Sequence, residues 1–228
     1  MTDARERIRV YNSVMKARIG FALLALVGRL GAAEPVHEMS FTWVDDSNPT
    51  VSAIKSSALR AIDLLGGNLI GETERLISTV GLAESAEVLH LQNLRLPRAV
   101  PGRPRMTGFK FTSYRIRNPR NAPDAAERAA LDLIRAQLNS GEASSSPLIQ
   151  RVDRPGAPTE WRFYRPIATM PTCLYCHGDP DSLQPSVRNV LNRRFPEDQA
   201  VGYSEYGWRG IVRVSFELPE PADATTSG

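Results

Sequence analysis

Cysteine and histidine are scarce in this chain: its 228 residues hold 2 Cys and 3 His. A disulfide framework in an exported protein needs more cysteines at wider spacings, so two thiols three residues apart have another use. A closed zinc site needs a second Cys or His pair at suitable spacing, and His37 and His90 stand in no such motif. The chain also lacks any run of about 18 apolar residues, which excludes an ordinary spanning helix. It lacks an internal repeat. Composition does not exclude a folded core, since 42% of the residues are hydrophobic.

The first residues read as an export signal. Arg5, Arg7, Arg9, Lys16 and Arg18 precede the short apolar stretch Ile19 to Gly28, and small residues suited to cleavage follow near Ala33. Residues 1–33 are therefore expected to be a signal peptide and the mature protein periplasmic. The leader also carries the charge. It holds six Arg or Lys against two Asp or Glu, and without it 22 positive and 23 negative groups remain, a net charge of −1. The sequence pI near 9.1 thus gives the mature protein no nucleic-acid partner. Contact with a membrane is expected only through an uncleaved leader.

Hydrophobic spacing predicts a long helix over residues 51–80, bent or split at Gly66–Gly67, and a second helix from Leu82 to Leu94. Residues 95–108, rich in Pro, Arg and Gly, read as a loop. Phe109 to Arg117 alternates like a half-buried strand. Pro123 and Asp124 open a helix that runs to Leu138. Trp161 to Ile167 reads as a strand, Pro185 to Arg194 as a helix and Gly210 to Leu218 as the final strand. Long helices before a small antiparallel sheet imply an α+β fold. The expected domains are a linker over 34–49, the folded domain over 50–218 and a disordered tail over 219–228.

The segment Cys173-Leu174-Tyr175-Cys176-His177 has the spacing that attaches a c-type haem. Two thiols about one turn apart can add to the two vinyl groups of one porphyrin, and the adjacent imidazole reaches the iron from the same face. One covalent haem c is expected. A redox CxxC pair and half a zinc site stand as alternatives. The first is disfavoured by the want of a βαβ pattern around the thiols, the second by the want of further ligands.

Beyond this motif the chain resembles the Tll0287-like haem domains. The matching segments are FTSYRIRNPRNAPDAAE, RFYRPIATMPTCLYCHGDP and FPEDQAVGYSEYGWRGIVRVSF, and with the preceding helices they span about residues 50–217. The resemblance implies a PAS-like α+β fold that holds the haem between N-terminal helices and the sheet, with a redox or sensing role. In that family the distal iron ligand can be a cysteine in a pattern like EVCHL. Here Glu87-Val88-Leu89-His90-Leu91 puts Leu89 at that position, and leucine cannot ligate iron.

His90 is then the candidate distal ligand, at the edge of the apolar face of the second helix; Met106 is the next. Met170 reads as a core residue. From Arg95 to Arg120 the chain carries eight basic residues and no acidic one. Lys110, Arg115 and Arg117 are the candidates there to pair with haem propionates; a solvated surface is the plainer reading of the run. Trp208, Tyr203 and Tyr206 read as sheet or core residues. Two functions follow: an electron carrier whose partner is a redox protein, and a haem-based sensor of redox state or a small diatomic ligand. An enzyme comes third, because no acid–base constellation can be read beside the motif.

Overall fold

The computed structural model describes residues 39–45, 47–89, 96, 98–142 and 147–219. The expected signal peptide, His90 and residues 220–228 of the expected tail lie outside these. Strand β1 (Ser40–Trp43) is followed by helices α1 (Pro49–Val80) and α2 (Leu82–Val88), strand β2 (Arg105–Thr112) and helix α3 (Ala125–Asn139). Strands β3 (Leu148–Asp153) and β4 (Glu160–Ala168), helices α4 (Leu174–His177) and α5 (Pro185–Arg194) and strand β5 (Trp208–Glu217) complete the order. The five strands form one antiparallel sheet in the order β1-β3-β4-β5-β2, which makes the fold α+β.

Helix α1 starts where Pro49 fills the first turn and the Asn48 side chain accepts the amide of Thr50 at 2.9 Å. Val51, Ile54, Ala58, Ile62 and Leu65 recur at helical spacing and are buried. They pack on Ile149, Phe163, Val212, Val214 and Phe216, which share one face of the sheet. The expected break at Gly66–Gly67 does not occur. The helix runs through both glycines, and a Cβ built on either meets nothing within 4 Å. It ends at Gly81, whose φ of +89° admits the reversal into α2.

The other sheet face is covered by α3, through Ala130, Leu131 and Ile134 against Tyr164 and Ile211. This helix opens on a complete capping box, in which Asp124 accepts the amide of Glu127 and Glu127 accepts the amide of Asp124, both at 2.8 Å. Because side chains alternate along β4 and β5, the residues between the apolar ones point at α3, and several are charged. Lys110 meets Glu127 at 2.7 Å, Arg213 meets Glu127 at 3.2 Å, and Arg162 meets Asp124 at 2.8 Å and Glu160 at 3.1 Å. Glu127 and Arg162 are fully buried, so this network is the polar core of the α3 face.

The network makes stability depend on pH. Burial acts to raise the Glu160 carboxyl, but the hydrogen bond and charge of Arg162 outweigh it and bring the group to about 2, from an ordinary 4.5. A carboxyl whose pKa is depressed by folding contributes its stability above the unfolded value and loses it as pH falls toward the folded one. Urea midpoints should therefore hold level above about pH 5 and fall between about pH 4.5 and pH 2. A Glu160→Gln variant should show a shallower fall, and an equal fall in both proteins would show that Glu160 does not carry the effect.

Other expectations about the sheet and core are also corrected by the structure. Ser40–Trp43, placed in a linker, is an edge strand in register with β3, and β3 itself was not expected. Its Val152 and Ile149 are separated by the polar pair Gln150–Arg151, so no clean alternation marked it. The strand expected over 109–117 is β2, which starts at Arg105 and ends at Thr112. Met106 therefore lies in the core cluster under α1, and not in a loop from which it could approach the CxxCH segment. Met170, expected in the core, is 37% exposed. No helix among the described residues is long and apolar enough to cross a membrane.

Candidate functional site

The CxxCH segment lies on a short helical step after β4. Pro171–Cys173 forms a single 3-10 turn, and Leu174–His177 continues it as α4, which Gly178 ends. Cys173 and Cys176 are free thiols, both partly buried, and three residues in helix put them on one side of the step. Burial raises the Cys176 thiol above its ordinary range, against the lowering effect of the Arg117 charge.

His177 is fixed from behind. Its Nδ1 lies 2.6 Å from the carbonyl oxygen of Ala200. A carbonyl can only accept, so Nδ1 carries the proton and Nε2 of the neutral ring keeps its lone pair. Burial holds the imidazole well below its usual pKa, and the charges of Arg117 and Arg209 act the same way. An imidazole that stays neutral, with one nitrogen anchored to a backbone carbonyl, is the arrangement found in ligating histidines.

Residues 198–207 form a strap over α4. Gly202 donates its amide to the Gly178 carbonyl at 2.7 Å, and Tyr203 donates its amide to the His177 carbonyl at 3.0 Å. The Tyr203 ring stands edge-on to the imidazole, with centroids 6.3 Å apart. Asp198 accepts the Ala200 amide at 2.8 Å and pairs with Arg117 at 2.8 Å. Arg117 also donates to the Cys176 carbonyl at 2.5 Å. The Arg117–Asp198 pair thus ties the strap and the motif into one unit, with the carbonyl that orients His177 between them. Gly210, where β5 leaves the strap, has φ of +152°, and a Cβ there would stand 2.3 Å from the Thr112 carbonyl oxygen. Only glycine allows β5 to pass this close to the end of β2.

The candidate cations separate into different surroundings. Arg117 lies on the motif. Arg115 lies on the strap, donating to the Val201 and Gly202 carbonyls at 2.9 and 3.0 Å, with its guanidinium over the Tyr203 ring. Lys110 points under α3, where its amine binds Glu127 and the Ala122 carbonyl; the structure does not bring it to the CxxCH segment. Ala200, Asp198, Tyr203 and Arg209 were not singled out as site residues from the sequence. The signal was present in the string EDQAVGYSEYGWRG, but nothing in the string itself says that it folds back over α4.

His90 lies outside the described residues. What precedes it is described, and it alters the expectation: α2 ends at Val88, and Leu89 is extended, with φ −66° and ψ 114°. A helix to Leu94 was expected, and the helical-wheel placement of His90 does not hold past Val88. Helix α2 itself packs on α5 through Ala86, Leu183, Val187 and Leu191, with Cys176 against the same cluster. Arg193 pairs with Glu87 at 2.5 Å and Arg194 donates to the Ala86 carbonyl, which fixes the last turn of α2 against α5.

Fold and site together define an α+β domain whose CxxCH helix is strapped by the residues leading into its last strand. The chain belongs to the Tll0287-like family, whose model matches residues 51–217. A solved structure described as the cyanobacterial heme-protein Tll0287 is similar at 18% identity and a TM-score of 0.44, covering 78% of this chain and 100% of that one. No curated protein matches the sequence.

Proposed function

We propose that this protein is a periplasmic monohaem c-type cytochrome that exchanges electrons with a redox partner protein. The observation that carries the reading is the 2.6 Å contact of His177 Nδ1 with the Ala200 carbonyl oxygen, which commits Nδ1 as donor and leaves Nε2 to a metal, beside two free thiols at haem-attachment spacing. Cys173 and Cys176 would hold the porphyrin by two thioethers, and His177 would be the proximal ligand. The bound group would supply a reversible one-electron change at its iron. The residues around it orient the ligand. Ala200 fixes the ring plane of His177, Arg117 and Asp198 hold Ala200 in place, and Tyr203 limits rotation of the imidazole from its edge. Export by the leader fits the same reading, because thioether attachment to CxxCH belongs outside the cytoplasm.

His90 is proposed as the distal ligand, since Leu89 cannot serve and α2 adjoins Cys176. The early end of α2 favours a second reading, in which the iron is open and the protein senses a small diatomic ligand. Optical spectra of the purified protein, oxidised and reduced, with and without carbon monoxide, decide between them. A carrier should be low-spin in both states and inert to carbon monoxide, and His90→Ala should turn it high-spin and reactive. A high-spin wild type that binds carbon monoxide would move the assignment to the sensor. A low-spin spectrum unchanged in His90→Ala would remove His90 as ligand.

A further inference from the structure

Two arginines packed against the strap face no carboxylate among the described residues. Arg209 Nη1 donates to Ser113 Oγ at 2.9 Å and to Tyr203 Oη at 3.1 Å, and Arg115 donates to the two carbonyls already named. Neither forms an ion pair among the described residues, whereas Arg117 beside them is matched by Asp198. The guanidinium carbons of Arg115 and Arg209 lie 5.0 and 4.5 Å from the centroid of one Tyr203 ring. Both arginines, with Ser113, Tyr203 and Ser204, line one cavity of about 330 Å³.

A partly buried charge with no counter-ion costs stability. Burial lowers the pKa of Arg209, and the neighbouring Arg117 charge lowers it further, with Tyr203 acting in opposition. Stacking on a tyrosine offsets only part of this cost. The stack alone also explains neither the open volume nor the two hydroxyls that line it. The guanidinium fork matches a carboxylate in two parallel hydrogen bonds, which an ammonium cannot do.

We propose that this cavity is a carboxylate site, gripped by Arg115 and Arg209 and lined by the hydroxyls of Ser113 and Ser204. The carboxylate has two possible sources, a free small organic acid or a propionate arm of the haem. The second source rests on the haem reading above; the first is independent of it.

Titration calorimetry of the full-length holoprotein with succinate, together with resonance Raman spectra of the propionate bending bands, tests the site. Arg209→Gln and Arg115→Gln are compared with wild type, and Arg120→Gln, on the exposed turn after Arg117, is the control. Saturable succinate binding, weakened at least 10-fold in both site variants and unchanged in the control, assigns a free acid. Absence of succinate binding, with propionate bands that shift in the site variants alone, assigns the haem arm. No succinate binding and unshifted bands would overturn the proposal. If the protein carried no haem, the Raman bands would be missing and succinate alone would decide, so failure of the haem reading is seen separately. Should Arg209→Gln fail to fold, Arg115→Gln, whose side chain lies on the exposed rim, gives the same comparison.

Discussion

Replacing both thiols, Cys173→Ala with Cys176→Ala, should abolish covalent haem. Wild-type protein should keep its haem through denaturing electrophoresis, visible by peroxidase staining at the mass of the chain, and the double variant should show none. Each single variant should keep one thioether and stain weakly. The thiols sit on a short surface step and not in the sheet core, so the truncations remove little packing. Cys176 touches the α2–α5 cluster, where losing a sulfur costs on the order of 1 kcal/mol. Far-UV circular dichroism should therefore remain close to wild type. A stained band from a folded double variant would sink covalent attachment at this motif.

Removal of the buried carboxylate of α3 should have the largest effect on stability. Glu127 is fully buried, faces Lys110 and Arg213, and closes the capping box with Asp124. Glu127→Ala takes from Lys110 its carboxylate, leaves Arg213 only its longer 3.7 Å contact with Glu160, and frees the Asp124 amide. Breaking a buried pair on one side costs about 3–5 kcal/mol. Glu127→Gln keeps an acceptor for the capping amide and should cost less. Lys110→Met should also cost less, because Arg213 still faces the carboxylate after that change. Urea unfolding of the three variants at pH 7 measures this order. A loss under about 1 kcal/mol in Glu127→Ala would mean that the network is solvated and contributes little.

Recognition of the long helices needed only local information. The buried positions of α1 recur three or four apart, and Asn48–Pro49 and Gly81 mark its ends. The capping box of α3 is written in Asp124 and Glu127. Such signals survive because they act within one or two turns of the chain. The helix past Val88 and the split at Gly66–Gly67 were misread for the opposite reason. Propensity favoured continuing the first and breaking the second, and packing of α2 on α5, with open space around the glycines, decided otherwise. Strands β1 and β3 escaped notice because each exists through its partner: Ser40–Trp43 alone has too few residues to show a period.

The sequence by itself displayed the CxxCH spacing and determined the α+β class and the family, because motif spacing, hydrophobic periodicity and the RNPRNAPD and GYSEYGWRG strings are local properties. It could not assign the cations. Lys110, Arg115 and Arg117 lie within eight residues of one another, yet one points under α3, one stacks on Tyr203 and one pairs with Asp198. Strand alternation sends Lys110 to the α3 face. The irregular chain after Thr112 carries the two arginines to the strap, whose partners stand more than 80 residues later. The proton on His177 was also decided there, by a carbonyl at Ala200 that only the folded strap brings within 2.6 Å. Long-range contacts of this kind are set by how the strap closes over α4, and no periodicity in the chain encodes them.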